Sequence, residues 1–111
     1  MVASFQNRVV VLGAGSVSQT LVPLMLMEKT VEPKQITIVD KRDNRDRFQS
    51  SIAAGVTYTI DELTRSNIKE FLAKYVSNGD FLVDLAWNID ANEIMGWCHD
   101  NDVIYLNTSV E

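Results

Sequence analysis

The chain has 111 residues, 46% of them hydrophobic and 23% charged, which allows one domain with a core of its own and little beyond it. Fifteen acidic residues against ten basic ones leave a net charge of −5, so no basic excess is available to track a phosphate backbone, and nucleic acid is excluded as a partner. The single cysteine excludes an internal disulfide and a cysteine-rich zinc site, and it fits a reducing, cytoplasmic compartment. No secretory pattern opens the chain, and no stretch approaches the ~20 apolar residues that cross a bilayer, so no membrane partner is expected.

Val9–Leu12 is a continuous apolar run that stops at Gly13, the pattern of a strand buried on both faces in a parallel sheet. Residues 17–29 then carry apolar side chains at Val17, Leu21, Leu24 and Met25, with Leu26 beside them, close to helical spacing. Pro23 falls inside this stretch and predicts a kink or a weak point. Gln35–Asp40 reads as a second strand, and the charge-dense Lys41–Arg47 as a solvated loop leading into a helix. Val56–Thr59 is a third strand. Thr64–Val76 has a helical stripe at Ile68, Phe71, Leu72, Tyr75 and Val76, ended by Asn78-Gly79. Phe81–Leu85 is a fourth strand and Val103–Leu106 a fifth, separated by a helix over Asn92–His99 with Ile94, Met95 and Cys98 on one side. Strands alternating with helices through short connections call for a parallel sheet covered on both faces, joined by right-handed crossovers. This is an α/β, Rossmann-type doubly wound sheet of about five strands in the order 3-2-1-4-5.

The segment between the first strand and the first helix, Gly13-Ala14-Gly15-Ser16-Val17-Ser18, follows the dinucleotide fingerprint G-x-G-x-x-G/A with a serine in the last place. Gly13 permits the tight turn, Gly15 lets the backbone approach a pyrophosphate, and a small Ser18 lets helix pack on strand. The pyrophosphate would lie on the free N–H groups at the start of the helix, around Ser16 and Val17, where the dipole favours negative charge. Asp40 ends the second strand 25 residues after Gly15. A carboxylate there accepts both ribose hydroxyls of an adenosine and repels a 2′-phosphate, which favours NAD over NADP. Lys41 and Arg42 follow and could serve such a phosphate, so the preference is moderate.

Cys98 and His99 invite a nucleophile-and-base reading, but neighbours on a helix point about 100 degrees apart. Cys98 falls on the apolar stripe and the sole histidine on the polar edge near the helix end, so neither is placed in catalysis. No metal-ligating constellation stands in the sequence. Trp87 and Asn88 follow the fourth strand at the carboxyl edge of the sheet, where open α/β folds bind ligands. Asn107, Thr108 and Ser109 follow the fifth strand at the same edge and suit ribose or nicotinamide contacts. Arg42, Arg45 and Arg47 alternate with Asp43 and Asp46 and read as surface.

Several segments together resemble bacterial homospermidine synthase, whose nucleotide-binding portion is of the saccharopine dehydrogenase-like Rossmann type. They are the glycine loop in Val11–Ser18, Pro23-Leu24 in the first helix, Ile38-Val39-Asp40, Asp84–Asn88, Ile94–Cys98 and Ile104–Glu111. The likeness spans nearly the whole chain and only the N-terminal portion of the family, which continues past the matching Val-Glu into a long catalytic region. It implies a single NAD(P)-binding domain over residues 1–111 as part of a longer, homodimeric enzyme, inactive on its own. It also implies a redox-neutral, NAD-dependent transferase reaction. Putrescine is oxidised to an imine, ammonia leaves, a second diamine condenses, and the returned hydride yields homospermidine. On this resemblance the cofactor residues are Gly13, Gly15, Ser16, Val17 and Ser18, then Asp40, Ala86, Asn107 and Thr108. Glu111 would sit at the substrate amine with Asn88 near it, although the family often carries an acidic residue in that second place. A saccharopine or carboxynorspermidine dehydrogenase-like oxidoreductase uses the same fold and stays open. So does a stand-alone nucleotide-sensing module of the kind that regulates potassium transporters.

Overall fold

A computed structural model describes residues 6–29, 31–85 and 91–107. The elements run β1 (Val9–Leu12), α1 (Ser16–Glu28), β2 (Ile36–Asp40), α2 (Gln49–Ala54), β3 (Thr57–Ile60), α3 (Ile68–Tyr75), β4 (Phe81–Asp84), α4 (Ala91–Asp100) and β5 (Ile104–Asn107). Short 3-10 turns at Pro33–Gln35 and Arg45–Phe48 lead into β2 and α2. All five strands are parallel, in the order β3-β2-β1-β4-β5. The expected topology is the observed one.

Side chains alternate across the sheet, so β1, β2 and β4 each feed two cores. Val10, Leu12 and Leu82 meet Phe71 and Leu72 of α3 and Ile94 and Cys98 of α4 on one face. Val9, Val11, Ile36 and Ile38 meet Val22 of α1 and Phe48 before α2 on the other. Burying each of these aliphatic side chains contributes on the order of 2 kcal/mol, which is why the unbroken Val-Val-Val-Leu run takes the centre of the sheet. At the amino edge, the buried Asp80 accepts the Arg8 backbone N–H at 3.0 Å, the Arg8 Nε at 2.9 Å and the Ser77 backbone N–H at 2.9 Å. That carboxylate ties the lead-in of β1 to the turn before β4.

Three expectations are corrected. The helix after the glycine loop buries Ser18 and Val22, while Val17 and Leu24 stand 56% and 48% exposed. Small Ser18, rather than the larger apolar residues, marks the face that lies closest to the sheet. α1 continues through Pro23, which is exposed. The third helix starts at Ile68, not Thr64, because Asn67 holds a turn ahead of it: its Oδ1 accepts the Thr64 N–H at 2.7 Å and its Nδ2 donates to the Glu62 carbonyl at 2.9 Å. Met95 is 49% exposed and turns away from Ile94 and Cys98, which alone of the three are buried.

Parallel strands place every carboxyl end at one edge, so Gly13, Asp40, Ile60, Asp84 and Asn107 come out on the same side of the domain. β1 lies between β2 and β4, so the chain reverses its direction of winding beside Gly13. A ligand crevice belongs at that switch point.

Candidate nucleotide site

Gly13 has φ of +103°, a conformation that costs any residue with a Cβ, and its N–H donates to the Val39 carbonyl at 2.8 Å. The turn thus hangs the loop on β2. The fully buried Ser18 donates its hydroxyl to the Gly13 carbonyl, closing the loop from the helix side. The sequence indicated that Ser18 must be small; the bond explains the hydroxyl.

Gly15 differs. Its φ of −92° suits any residue, and a Cβ built on it would meet no described atom within 4 Å. Neither its backbone nor the packing of the described residues requires a glycine there. Gly15 is the N-cap of α1, yet no side chain caps the helix and no acidic residue stands in its first turn. Among the described residues, the amides of residues 15–18 therefore face the carboxyl edge without a side-chain acceptor, beside the exposed Ser16 and Val17.

Asp40, half-buried at the end of β2, is not a free carboxylate. Its Oδ2 accepts the Ala14 N–H at 2.6 Å and its Oδ1 accepts the Arg42 N–H at 2.8 Å. A carboxylate offers about four acceptor positions, so about two remain for a ligand. Asn44 and Tyr58, which the sequence reading passed over, complete this corner. Asn44 Nδ2 donates to the Ala14 carbonyl at 3.3 Å; the Tyr58 hydroxyl donates to the Arg42 carbonyl at 2.6 Å and accepts the Asn44 N–H at 3.1 Å. Burial, followed by the charges of Asp40 and Asp43, pushes the Tyr58 hydroxyl above its ordinary range and keeps it a donor. Among the cluster expected to be surface, Arg45 pairs with Asp43 at 2.6 Å. Among the described residues, neither Lys41 nor Arg42 forms an ion pair.

At the ends of β4 and β5, the buried Asp84 accepts the Tyr105 hydroxyl at 2.7 Å, and the Asn107 side chain bonds that same hydroxyl. Asn107 is thus at the expected edge, opposite Asp84 in the register, with its side chain engaged in this cluster. Burial and the Asp84 charge push the Cys98 thiol up to about 11, and the neighbouring His99 is exposed, so the two do not form a catalytic pair. The expected site residues Ala86, Asn88, Thr108 and Glu111 lie outside the described residues, as does Trp87. The fold brings Gly13, Gly15, Ser16, Val17, Ser18 and Asp40 to one corner of the sheet and sets Asn107 two strands from β1, at the end of β5. A surface cleft lined by Ser77, Asn78, Trp97 and Asn101 lies at the opposite edge.

The family model of the saccharopine dehydrogenase NADP-binding domain matches residues 9–111. The chain belongs to that family. Among curated proteins it is 26% identical over 106 residues to the homospermidine synthases of Mesorhizobium japonicum and Blastochloris viridis, covering 93% of this chain and 21% and 22% of those proteins. The crystal structure of the homospermidine synthase of Legionella pneumophila in complex with NAD superposes with a TM-score of 0.83 at 30% identity, over 93% of this chain and 22% of that one. An apo saccharopine dehydrogenase (L-Glu forming) from Saccharomyces cerevisiae shares the fold at a TM-score of 0.61 and 14% identity, covering 96% of this chain and 22% of that one. This chain is therefore homologous to homospermidine synthase through a nucleotide-binding domain, and it spans about a fifth of the length of those relatives. No helix among the described residues is long and apolar enough to cross a membrane.

Proposed function

We propose that the chain binds NAD at the carboxyl edge of β1 and β2 and is the NAD-binding part of a longer homospermidine synthase acting on putrescine. The observation that carries the binding site is Gly15, whose glycine answers no demand of the described residues: ordinary φ, open space among them, and a helix start that none of their side chains caps. The close approach of a pyrophosphate is a demand that fits, with the amides of residues 15–18 as donors. Gly13 and Ser18 hold the loop to receive it.

The adenosine ribose would take the two remaining acceptor positions of Asp40. The same carboxylate sets a negative charge where a 2′-phosphate would fall, which supports NAD over NADP even in a family described by its NADP binding. The NAD in the Legionella homospermidine synthase agrees with this choice. Bound NAD supplies the hydride acceptor and donor. What this chain would supply is position: Gly13–Ser18 for the pyrophosphate and Asp40 for the ribose, with Ala86, Asn107 and Thr108, which follow or end β4 and β5 in the sequence, proposed for the nicotinamide end. Asn88 and Glu111 are proposed at the substrate amine. The cytoplasm and a homodimer are the proposed setting.

Gly15→Ala tests the site. The variant should melt within a few degrees of the wild type, since the position has room and a common φ, while its affinity for NAD falls at least tenfold in calorimetric titration. Undiminished affinity would remove the pyrophosphate from this loop.

A further inference from the structure

Five hydrogen bonds at the end of β2 form a closed ring. The Arg42 N–H donates to Asp40 Oδ1, the Tyr58 hydroxyl donates to the Arg42 carbonyl, and the Asn44 N–H donates to the Tyr58 hydroxyl. Asn44 Nδ2 then reaches the Ala14 carbonyl, and the Ala14 N–H returns to Asp40 Oδ2. Three segments distant in sequence are tied: the glycine loop, the turn after β2, and β3. Asp40 ends β2, and Tyr58 lies within the neighbouring strand β3. The register pairs it with Ile38, and its ring lies 5.9 Å from that of Phe48, so its hydroxyl is delivered from a rigid support.

Remove that hydroxyl and the Arg42 carbonyl and Asn44 N–H lose a shared anchor, while Asp40 keeps its own two bonds. The turn over residues 41–44 then gains freedom that a nucleotide would have to take away again on binding. We propose that Tyr58 is a positioning residue for nucleotide choice: its hydroxyl holds the turn after β2 so that Asp40 and the glycine loop are prebuilt for an unphosphorylated ribose. This rests on the reading that NAD binds here. It goes further, because discrimination against a 2′-phosphate then depends on a residue that does not touch the nucleotide.

The test compares wild type, Tyr58→Phe, Asp40→Asn and the double variant for affinity toward NAD and NADP, with thermal melting alongside. Tyr58→Phe should weaken NAD about tenfold and NADP no more than twofold, and should add less than twofold to Asp40→Asn. Equal weakening of both nucleotides, or full additivity with Asp40→Asn, would overturn the positioning role. A wild-type chain that binds neither nucleotide overturns the NAD reading itself, and the role with it. Amide hydrogen exchange gives a reading without ligand: the Asn44 amide, which loses its acceptor, should exchange at least tenfold faster in Tyr58→Phe while β1 is unchanged, and an unaltered rate there would break the ring as drawn. Should Tyr58→Phe not fold, Asn44→Ala opens the same ring from the loop side and should narrow the NAD to NADP preference in the same way; an unchanged preference there refutes the role.

Discussion

Replacing Asp40 by asparagine changes one oxygen to an amino group and removes one charge. Its two oxygens now receive the Ala14 N–H at 2.6 Å and the Arg42 N–H at 2.8 Å, and the amide of asparagine can accept only on one side. Whichever way it turns, an N–H loses its acceptor. A charge-assisted bond is worth about 1.5–3 kcal/mol, and the half-buried site puts the cost near the lower figure. For a domain of this size that is a fall in melting temperature of roughly 5–10 °C. Binding shows the larger effect. One of the two acceptor positions left for the ribose is lost, so NAD should bind about 10- to 100-fold more weakly, at ~1.4 kcal/mol per factor of ten. A 2′-phosphate loses its repulsion, worth about 4 kcal/mol at 4 Å in an effective dielectric of 20 and less at a solvated edge, so NADP should bind about tenfold more tightly. Lys41 and Arg42, which form no ion pair among the described residues, are the cations it would meet. Parallel calorimetric titrations of wild type and variant measure both nucleotides. A ratio of NAD to NADP affinity that does not move would refute the role of Asp40 in the choice.

Gly13→Ala forces a Cβ into φ of +103° and should cost about 1–2 kcal/mol by denaturant titration. Asp80→Ala strips an acceptor from two backbone N–H groups and from Arg8, and should cost about 2–3 kcal/mol while leaving nucleotide affinity within twofold, since it lies at the opposite edge of the sheet. The Cys98 thiol should resist a thiol reagent at pH 8 and react at the rate of unfolding, because it is buried and pushed up to about 11. A thiol whose value is raised by folding contributes stability below its unfolded value, about 8.5, and loses it as pH rises through 11. Melting temperature should therefore fall between pH 9 and 11, less steeply in Cys98→Ala.

The sheet was legible because β1, β2 and β4 are short apolar runs with no helical alternative, each ended by a glycine or an aspartate at the carboxyl edge. The glycine loop was legible for the same reason: its spacing is meaningful only between a strand and a helix. Packing decided the rest. α1 presents apolar residues around most of its surface, so periodicity could not single out Ser18 and Val22 as the buried face. Asn67 delays α3 through side-chain bonds that compete with the helix, and Asn44 and Tyr58 act through bonds across 14 and 30 residues. A tyrosine on a strand beside a charged loop carries no local mark of such a role.

The most direct measurement is a titration of the isotope-labelled chain with NAD, followed residue by residue through its amide resonances. Saturable shifts concentrated at Gly13, Gly15, Ser16, Val17, Asp40 and Arg42 are the predicted result. Absence of saturable shifts at millimolar NAD, or shifts gathered at Ser77, Asn78 and Trp97 on the opposite edge, would contradict nucleotide binding by the glycine loop.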